Sequence, residues 1–225
     1  MSTRHLLAES FRAVVEWLIV GLPGPPGYAL RWLYYKLILR DLGWGSLIDV
    51  GVRIENPRTV SIGRRVWIDR GVVILGAVAD PLKGRPGRWV RRDPEVEGRV
   101  VIGDDCHIAP GCLLSGLAGL RIGHELGLAA GTLVFSLSHH FRSLDSGEPA
   151  VFSPRVAPEL QYLIAGPVEI GDRAGTGAYC TLLPGCRLAP GSFLLLGSAL
   201  RGDTEPGLLY RGNPAEPVAA RAAVR

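Results

Sequence analysis

An apolar or β-branched residue returns at every sixth position through most of this 225-residue chain. It does so at Ile62, Ile68 and Ile74, at Ile102, Ile108 and Leu114, and at Ile122, Leu128 and Val134. The series resumes at Ile170, Thr176, Leu182, Leu188 and Leu194. Four residues after most of these comes a second small or branched side chain: Val66, Val72, Cys106, Cys112, Ala174, Cys180, Cys186 and Ser192. A fixed period marks a repeat architecture, in which each unit buries its apolar face only by stacking on its neighbours. A helix is excluded, because its apolar face returns about every three to four residues. Short strands joined by tight turns fit, three to a triangular coil of about 18 residues.

A longer period agrees with the short one. The pattern apolar-x-Ile-Gly recurs at Val60–Gly63, Val100–Gly103, Leu120–Gly123 and Val168–Gly171. Ile102 and Ile122 are about one coil apart. Ile62 and Ile102 are separated by one coil and an excursion of about 20 residues. Ile122 and Ile170 are separated by one coil and about 28 residues more. The excursions are expected at about 76–99 and about 136–166. Long loops inside a regular scaffold are where function concentrates. The chain is thus expected to be an all-β solenoid, a parallel β-helix of hexapeptide repeats over 46–200. A helical segment over 1–45 precedes it and a tail over 201–225 follows.

The 30 Gly and 17 Pro would be too many for a helical protein, but they supply the corners that such coils need. The net charge of +4 is small, and Lys36 and Lys83 are the only lysines. Scattered Arg of that kind does not make a nucleic-acid surface. The cysteines form two pairs spaced by six, at inward repeat positions, where they read as small core hydrophobes rather than zinc ligands. A reducing compartment follows. With no signal-peptide pattern at the N-terminus, the expected location is cytoplasmic, with peripheral membrane contact as an option.

Residues 6–22 are apolar but interrupted by Glu9, Arg12 and Glu16, too short and charged to span a bilayer. A break at 22–27 leads to Tyr28–Leu39, where Trp32, Tyr34 and Tyr35 sit beside Arg31 and Lys36. Two readings stay open: a helical cap on the exposed end of the solenoid, or a membrane-surface helix.

Coils are scaffold, so chemistry is sought in the interruptions. The second excursion carries His139 and His140 side by side, followed by Phe141 and Asp145. A neutral imidazole is the commonest general base for a hydroxyl or amine nucleophile. His5, His107 and His124 lie at other phases of the repeat, which weakens a three-histidine zinc site of the carbonic-anhydrase kind. The first excursion holds Arg85, Arg88, Trp89, Arg91 and Arg92. Trp89, Arg91, Arg92 and Phe141 suit an acceptor sugar carrying phosphate or carboxylate; a solvated basic loop is the alternative.

The hexapeptide period, the Ser138-His139-His140-Phe141 loop and the ending Tyr210-Arg211-Gly212-Asn213-Pro214-Ala215 resemble the left-handed β-helix acyltransferases. Within these the chain is most similar to bacterial polysaccharide and nodulation-factor O-acetyltransferases. The resemblance implies left-handed coils, a homotrimer with sites between subunits, and acetyl-coenzyme A as donor. It implies His139 as the base, with His140 where the family has Asp; Asp145, in the same loop, is separately a carboxylate placed to orient His139. It implies a donor groove past Gly175, Thr176, Gly177, Ala178, Gly197, Ser198, Arg211 and Asn213. No metal is expected. One departure bears on that groove: Gly175 stands where the family has Trp. Either donor binding is lost, leaving a non-catalytic scaffold, or the small residue lets the donor approach the backbone closely.

Overall fold

The structure, a computed structural model, describes residue 14 and residues 16–222. His5, Glu9 and Arg12 lie outside the described residues. Three parallel sheets share the repeat, and each turn of the chain adds one strand to each of them. The first sheet stacks Asp41–Leu42, Val60–Ile62, Val100–Ile102, Leu120–Ile122, Val168–Ile170 and Arg187–Leu188. The second runs from Leu47–Ile48 to Phe193–Leu194, and the third from Arg53–Glu55 to Ala199–Leu200. The hairpin Leu208–Gly212/Ala215–Ala220 extends the second sheet at its C-terminal end.

The register follows the period. Leu42 pairs with Ile62, Ile62 with Ile102 and Ile102 with Ile122, and Ile122 pairs with Ile170 across the longest gap. Each excursion therefore leaves the stack and returns without shifting it. The repeat residues point inward and form one core of Ile, Leu and Val. Val66 and Val72 fill the corners of one coil, and all four cysteines do the same elsewhere. The cysteines are free and buried. Burial pushes the Cys106 thiol up to about 11 and Cys186 to about 12, which suits packing rather than thiolate chemistry.

The helix Gly24–Ile38 starts on prolines and lies across the open end of the first coil. Prolines fit a first turn because its N–H groups have no intrahelical partner. The aromatic face considered for lipid is turned inward. Tyr35 is fully buried and donates to the Val52 carbonyl at 2.9 Å. Trp32 packs edge-on against Trp44, with centroids 5.6 Å apart. Arg31 is also fully buried; its Nε donates to the Ile48 carbonyl at 2.6 Å, and its guanidinium reaches the Leu22 carbonyl. That bond ties the chain before the helix to the first coil. The helix is a cap. Its outer face shows Leu30, Leu33 and Leu37. Among the described residues, no helix is long and apolar enough to cross a membrane.

The third sheet carries an outward apolar stripe, because Val73, Leu113 and Leu133 are in register and only half-buried. Both excursions leave from the end of this sheet, at Gly76 and Ser136. They meet in a small sheet of their own. Gly87–Trp89 pairs in parallel with Leu163–Ala165, which pairs antiparallel with Leu137–His139. This sheet has no period in the sequence, and it holds the histidine strand against the coils.

Candidate active site

Strand pairing sets His139 opposite Leu163. The His140 N–H continues the ladder by donating to the Tyr162 carbonyl at 2.8 Å. The two imidazoles thus stand on backbone that is bonded on one side. They share a cavity of about 420 Å³ with Val90, Leu144, Ile164, the coil corner Leu183-Pro184-Gly185, and Arg201. Among the described residues, no carboxylate lines it.

His139 is half-buried. Its Nε2 lies 3.2 Å from Oε1 of Gln161, and its ring meets the edge of Phe152. His140 has Nδ1 2.7 Å from the Arg142 carbonyl oxygen and stacks on Phe141, with centroids 4.5 Å apart. Asp145 does not touch His139. Tyr162 donates its hydroxyl to Asp145, and Arg88 lies 3.9 Å away on the other side. Burial, and then that bond to the carboxylate, push the Tyr162 hydroxyl above its ordinary range. The expected Asp145–His139 contact is replaced by Gln161, because Tyr162 directs Asp145 away. Gln161 gave no signal in the sequence: it is one polar residue before an apolar run.

Trp89, Arg91 and Arg92 of the first excursion do not line this cavity. Arg92 lies over Trp89, 4.0 Å from its ring centroid, and pairs with Glu97 at 2.8 Å. Arg91 pairs with Asp203. Alternation along the chain sends Val90 into the cavity and its neighbours Trp89 and Arg91 away from it. These side chains brace the loop. Phe141 is exposed beside His140.

A second concavity, of about 390 Å³, lies on the outer face of the second sheet. It exists because Gly127 and Gly175 are paired in register. A Cβ at Gly175 would lie 3.1 Å from both the Gly127 carbonyl oxygen and the Phe193 ring. The His107 and Phe193 strands bound the slot above and below. His107 is bonded to Asp69 at 2.8 Å, and Phe193 lies under the Arg221 guanidinium. Arg173, paired with Glu125, lines the rim. His124 accepts from the Asp104 N–H at 2.9 Å. Among the described residues, no three His, Cys, Asp or Glu side chains converge as a metal site.

Of the eight donor residues named above, Gly175 and Thr176 line this slot. The Thr176 hydroxyl is spent inside, bonded to that of Thr132 at 2.8 Å. Gly177, Ala178, Gly197 and Ser198 form the next corners, where Gly197 N–H donates to the Ala178 carbonyl. Ser198 Oγ is buried and accepts from the Gly212 N–H. Arg211 is exposed on the hairpin, and Asn213 forms its turn. The slot and the histidine cavity share no lining residue within one chain.

Solved structures of similar shape give the architecture a context. An N-acyltransferase from Bacillus cereus, AntD, in complex with dTDP and 3-hydroxybutyryl-CoA, aligns with a TM-score of 0.69. It is 22% identical and covers 85% of this chain and 88% of its own. A hexapeptide-repeat acetyltransferase from Vibrio cholerae with acetyl coenzyme A aligns at 0.53 and 17% identity, covering 99% and 92%. The fold is that of the hexapeptide-repeat acyltransferases. No protein-family model matches the chain. Among curated proteins, WbbJ of Escherichia coli K12, described provisionally as a lipopolysaccharide biosynthesis O-acetyl transferase, is 25% identical over 130 residues. That match covers 58% of this chain and 65% of WbbJ. The resemblance read from the repeat and its two landmark segments is therefore borne out.

Proposed function

We propose that this protein is an acyltransferase that moves an acetyl group from acetyl-coenzyme A to a hydroxyl of a sugar or glycan precursor. One observation carries the reading: both excursion histidines line a cavity floored by a coil corner. His139 takes the proton of the acceptor hydroxyl as its oxygen attacks the thioester carbonyl. The C–S bond then breaks, and the thiolate leaves as the thiol with the proton returned by the imidazolium. Backbone N–H groups at the coil corners stabilise the oxyanion between these steps. Relatives described as acting on nitrogen and on oxygen share the fold, so the test pairs acetyl-coenzyme A with both hydroxy- and amino-sugars and their nucleotide conjugates. Acceptor-dependent release of free thiol supports the reading. Thiol release that no acceptor accelerates would leave the scaffold alternative standing.

The donor fits the slot at Gly127 and Gly175, where the exposed Gly127 leaves room for a narrow ligand and Arg173 and Arg221 supply positive charge at the rim. This is the second of the two readings left open by the absent Trp. Gly127→Leu tests it cleanly. A Cβ there meets nothing nearer than the His107 carbonyl oxygen at 4.0 Å, so the coils tolerate it while the side chain fills the slot. Coenzyme A affinity, read by calorimetry, should fall at least about tenfold, a loss of roughly 1.4 kcal/mol. Unchanged affinity would remove the donor from this groove.

The coils are left-handed in this reading, and the active unit is a homotrimer. The stripe of Val73, Leu113 and Leu133 supports association, since a contiguous apolar stripe on a stable protein marks an interface. Association also suits a slot and a histidine cavity that lie apart within one chain. Light scattering at micromolar concentration should return three times the chain mass; a monomer would refute it.

A further inference from the structure

Gln161 is almost completely buried, with 3% of its surface exposed, yet it is a neutral polar residue in an apolar neighbourhood of Tyr162 and Leu163. Buried amides are retained where both ends are bonded. Here the two ends do different things. The Nε2 group donates to the Val156 carbonyl oxygen at 2.8 Å. That bond fixes which way the amide points, because a carbonyl can receive only the NH2 end. The Oε1 end then faces Nε2 of His139. An amide oxygen has lone pairs and no proton, so the contact is a hydrogen bond only when His139 Nε2 carries hydrogen.

We propose that Gln161 is a positioning residue that holds His139 as the Nε2–H tautomer, so that Nδ1 is the atom that takes the acceptor's proton. This rests on the general-base reading above. A neutral imidazole has one lone pair, and which nitrogen carries it is set by the bond the other nitrogen makes. Nδ1 has no protein hydrogen-bond partner among the described residues. Phe152 meets the ring edge-on and narrows the choice of its plane. The remaining titratable or charged groups in the cavity, His140 and Arg201, are not bonded to His139. Asp145 is held by Tyr162 and Arg88. His139 is thus oriented by a neutral amide where a carboxylate was expected. The imidazolium formed during the reaction keeps donating its Nε2–H to this oxygen but meets no opposing charge there.

The test uses the full chain, a working acceptor, and two variants. Gln161→Leu removes the acceptor for Nε2–H and frees the ring. Turnover should fall about ten- to a hundredfold, the scale of a misplaced catalytic group, with KM for donor and acceptor within about twofold of wild type because no binding contact is lost. Gln161→Glu keeps an oxygen for Nε2–H, gives up the bond to the Val156 carbonyl, and adds a charge that favours the imidazolium. It should retain plateau turnover within about fivefold, as a conservative replacement does when the bond is kept. Its acidic limb of kcat/KM should move to higher pH, since the neutral base persists only above a higher pH. Wild-type turnover in Gln161→Leu would overturn the proposal. Equal losses in both variants with the limb unmoved would also overturn it, by showing a purely structural role. Should Gln161→Leu fail to fold, an unmoved limb in Gln161→Glu decides against it. His139→Ala separates the two levels. If that change leaves turnover intact, the base reading itself falls. If it abolishes turnover while Gln161→Leu stays active, only the positioning role falls.

Discussion

His139→Ala should lower turnover about a hundred- to ten-thousandfold, the usual cost of losing a general base. The rest of the protein should notice little. His139 is half-buried and stands on the excursion sheet, outside the stacked coils. Its side chain contacts are Gln161 and Phe152. Truncation leaves Gln161 Oε1 without its donor, but the space vacated admits water, so the cost in stability should be about 1 kcal/mol, at the low end for an orphaned acceptor. Coenzyme A affinity should stay near wild type, because the glycine slot shares no residue with the histidine cavity. His140→Ala should cost less than about tenfold, well below a lost base. It removes a bond to the Arg142 carbonyl and a stack on Phe141, neither of which orients a free base atom. Steady-state rates for both variants decide the matter. Near wild-type turnover in His139→Ala beside an inactive His140→Ala would move the base to His140. Two active variants would end the base reading.

The parts of this protein that repeat were legible, and the parts that interrupt were not. The period of six places Ile62, Ile102, Ile122 and Ile170 in one inward column, and pairing sets them in register. Inward cysteines were legible for the same reason, since a repeat position specifies its surroundings whatever residue fills it. Excursion limits followed by subtraction. What happens within the excursions has no such constraint. Nothing in the stretch around Arg88 signals that it pairs with the strand around Ile164, more than 70 residues on. Without that pairing, Val90 cannot be placed in the cavity, and Trp89, Arg91 and Arg92 cannot be removed from it. The helix shows the same limit. Aromatic and basic residues at Arg31, Trp32 and Tyr35 suit lipid or protein by composition, and only the carbonyls of Ile48 and Val52 show that Arg31 and Tyr35 face the first coil. Charge was the weakest guide of all. Asp145 was the obvious carboxylate partner for a histidine, but Tyr162 and Arg88 hold it, and a neutral amide stands in its place.

Gly103→Ala should be a highly damaging small change in the scaffold, at about 3 kcal/mol, the upper range for forced overpacking. At the corners after the first four strands of the first sheet, the glycines Gly43, Gly63, Gly103 and Gly123 lie directly over one another. A methyl at position 103 would overlap the Gly123 carbonyl oxygen, with the carbonyl carbon only 2.7 Å away. Both are backbone atoms, fixed by the Gly103 N–H bond to Ile122 and the Gly123 N–H bond to Ile170. Neither can rotate aside as a side chain would. Relief requires two coils to part, which lengthens ladder bonds and loosens the packing of Ile102 on Ile122. For a chain of this length, the loss corresponds to a melting temperature lower by about 6–12 °C. The control is Gly127→Ala, one coil edge away, where the nearest atom to a new Cβ is 4.0 Å distant. That change should alter stability by less than about 0.5 kcal/mol, as for an ordinary surface site. Both lose the same glycine entropy in the unfolded chain, so the difference between them isolates the contact between coils. Thermal melts of the two variants side by side measure it. Equal melting temperatures would mean that the corners have slack, and that the glycine at each Ile-Gly is set by something other than the approach of the next coil.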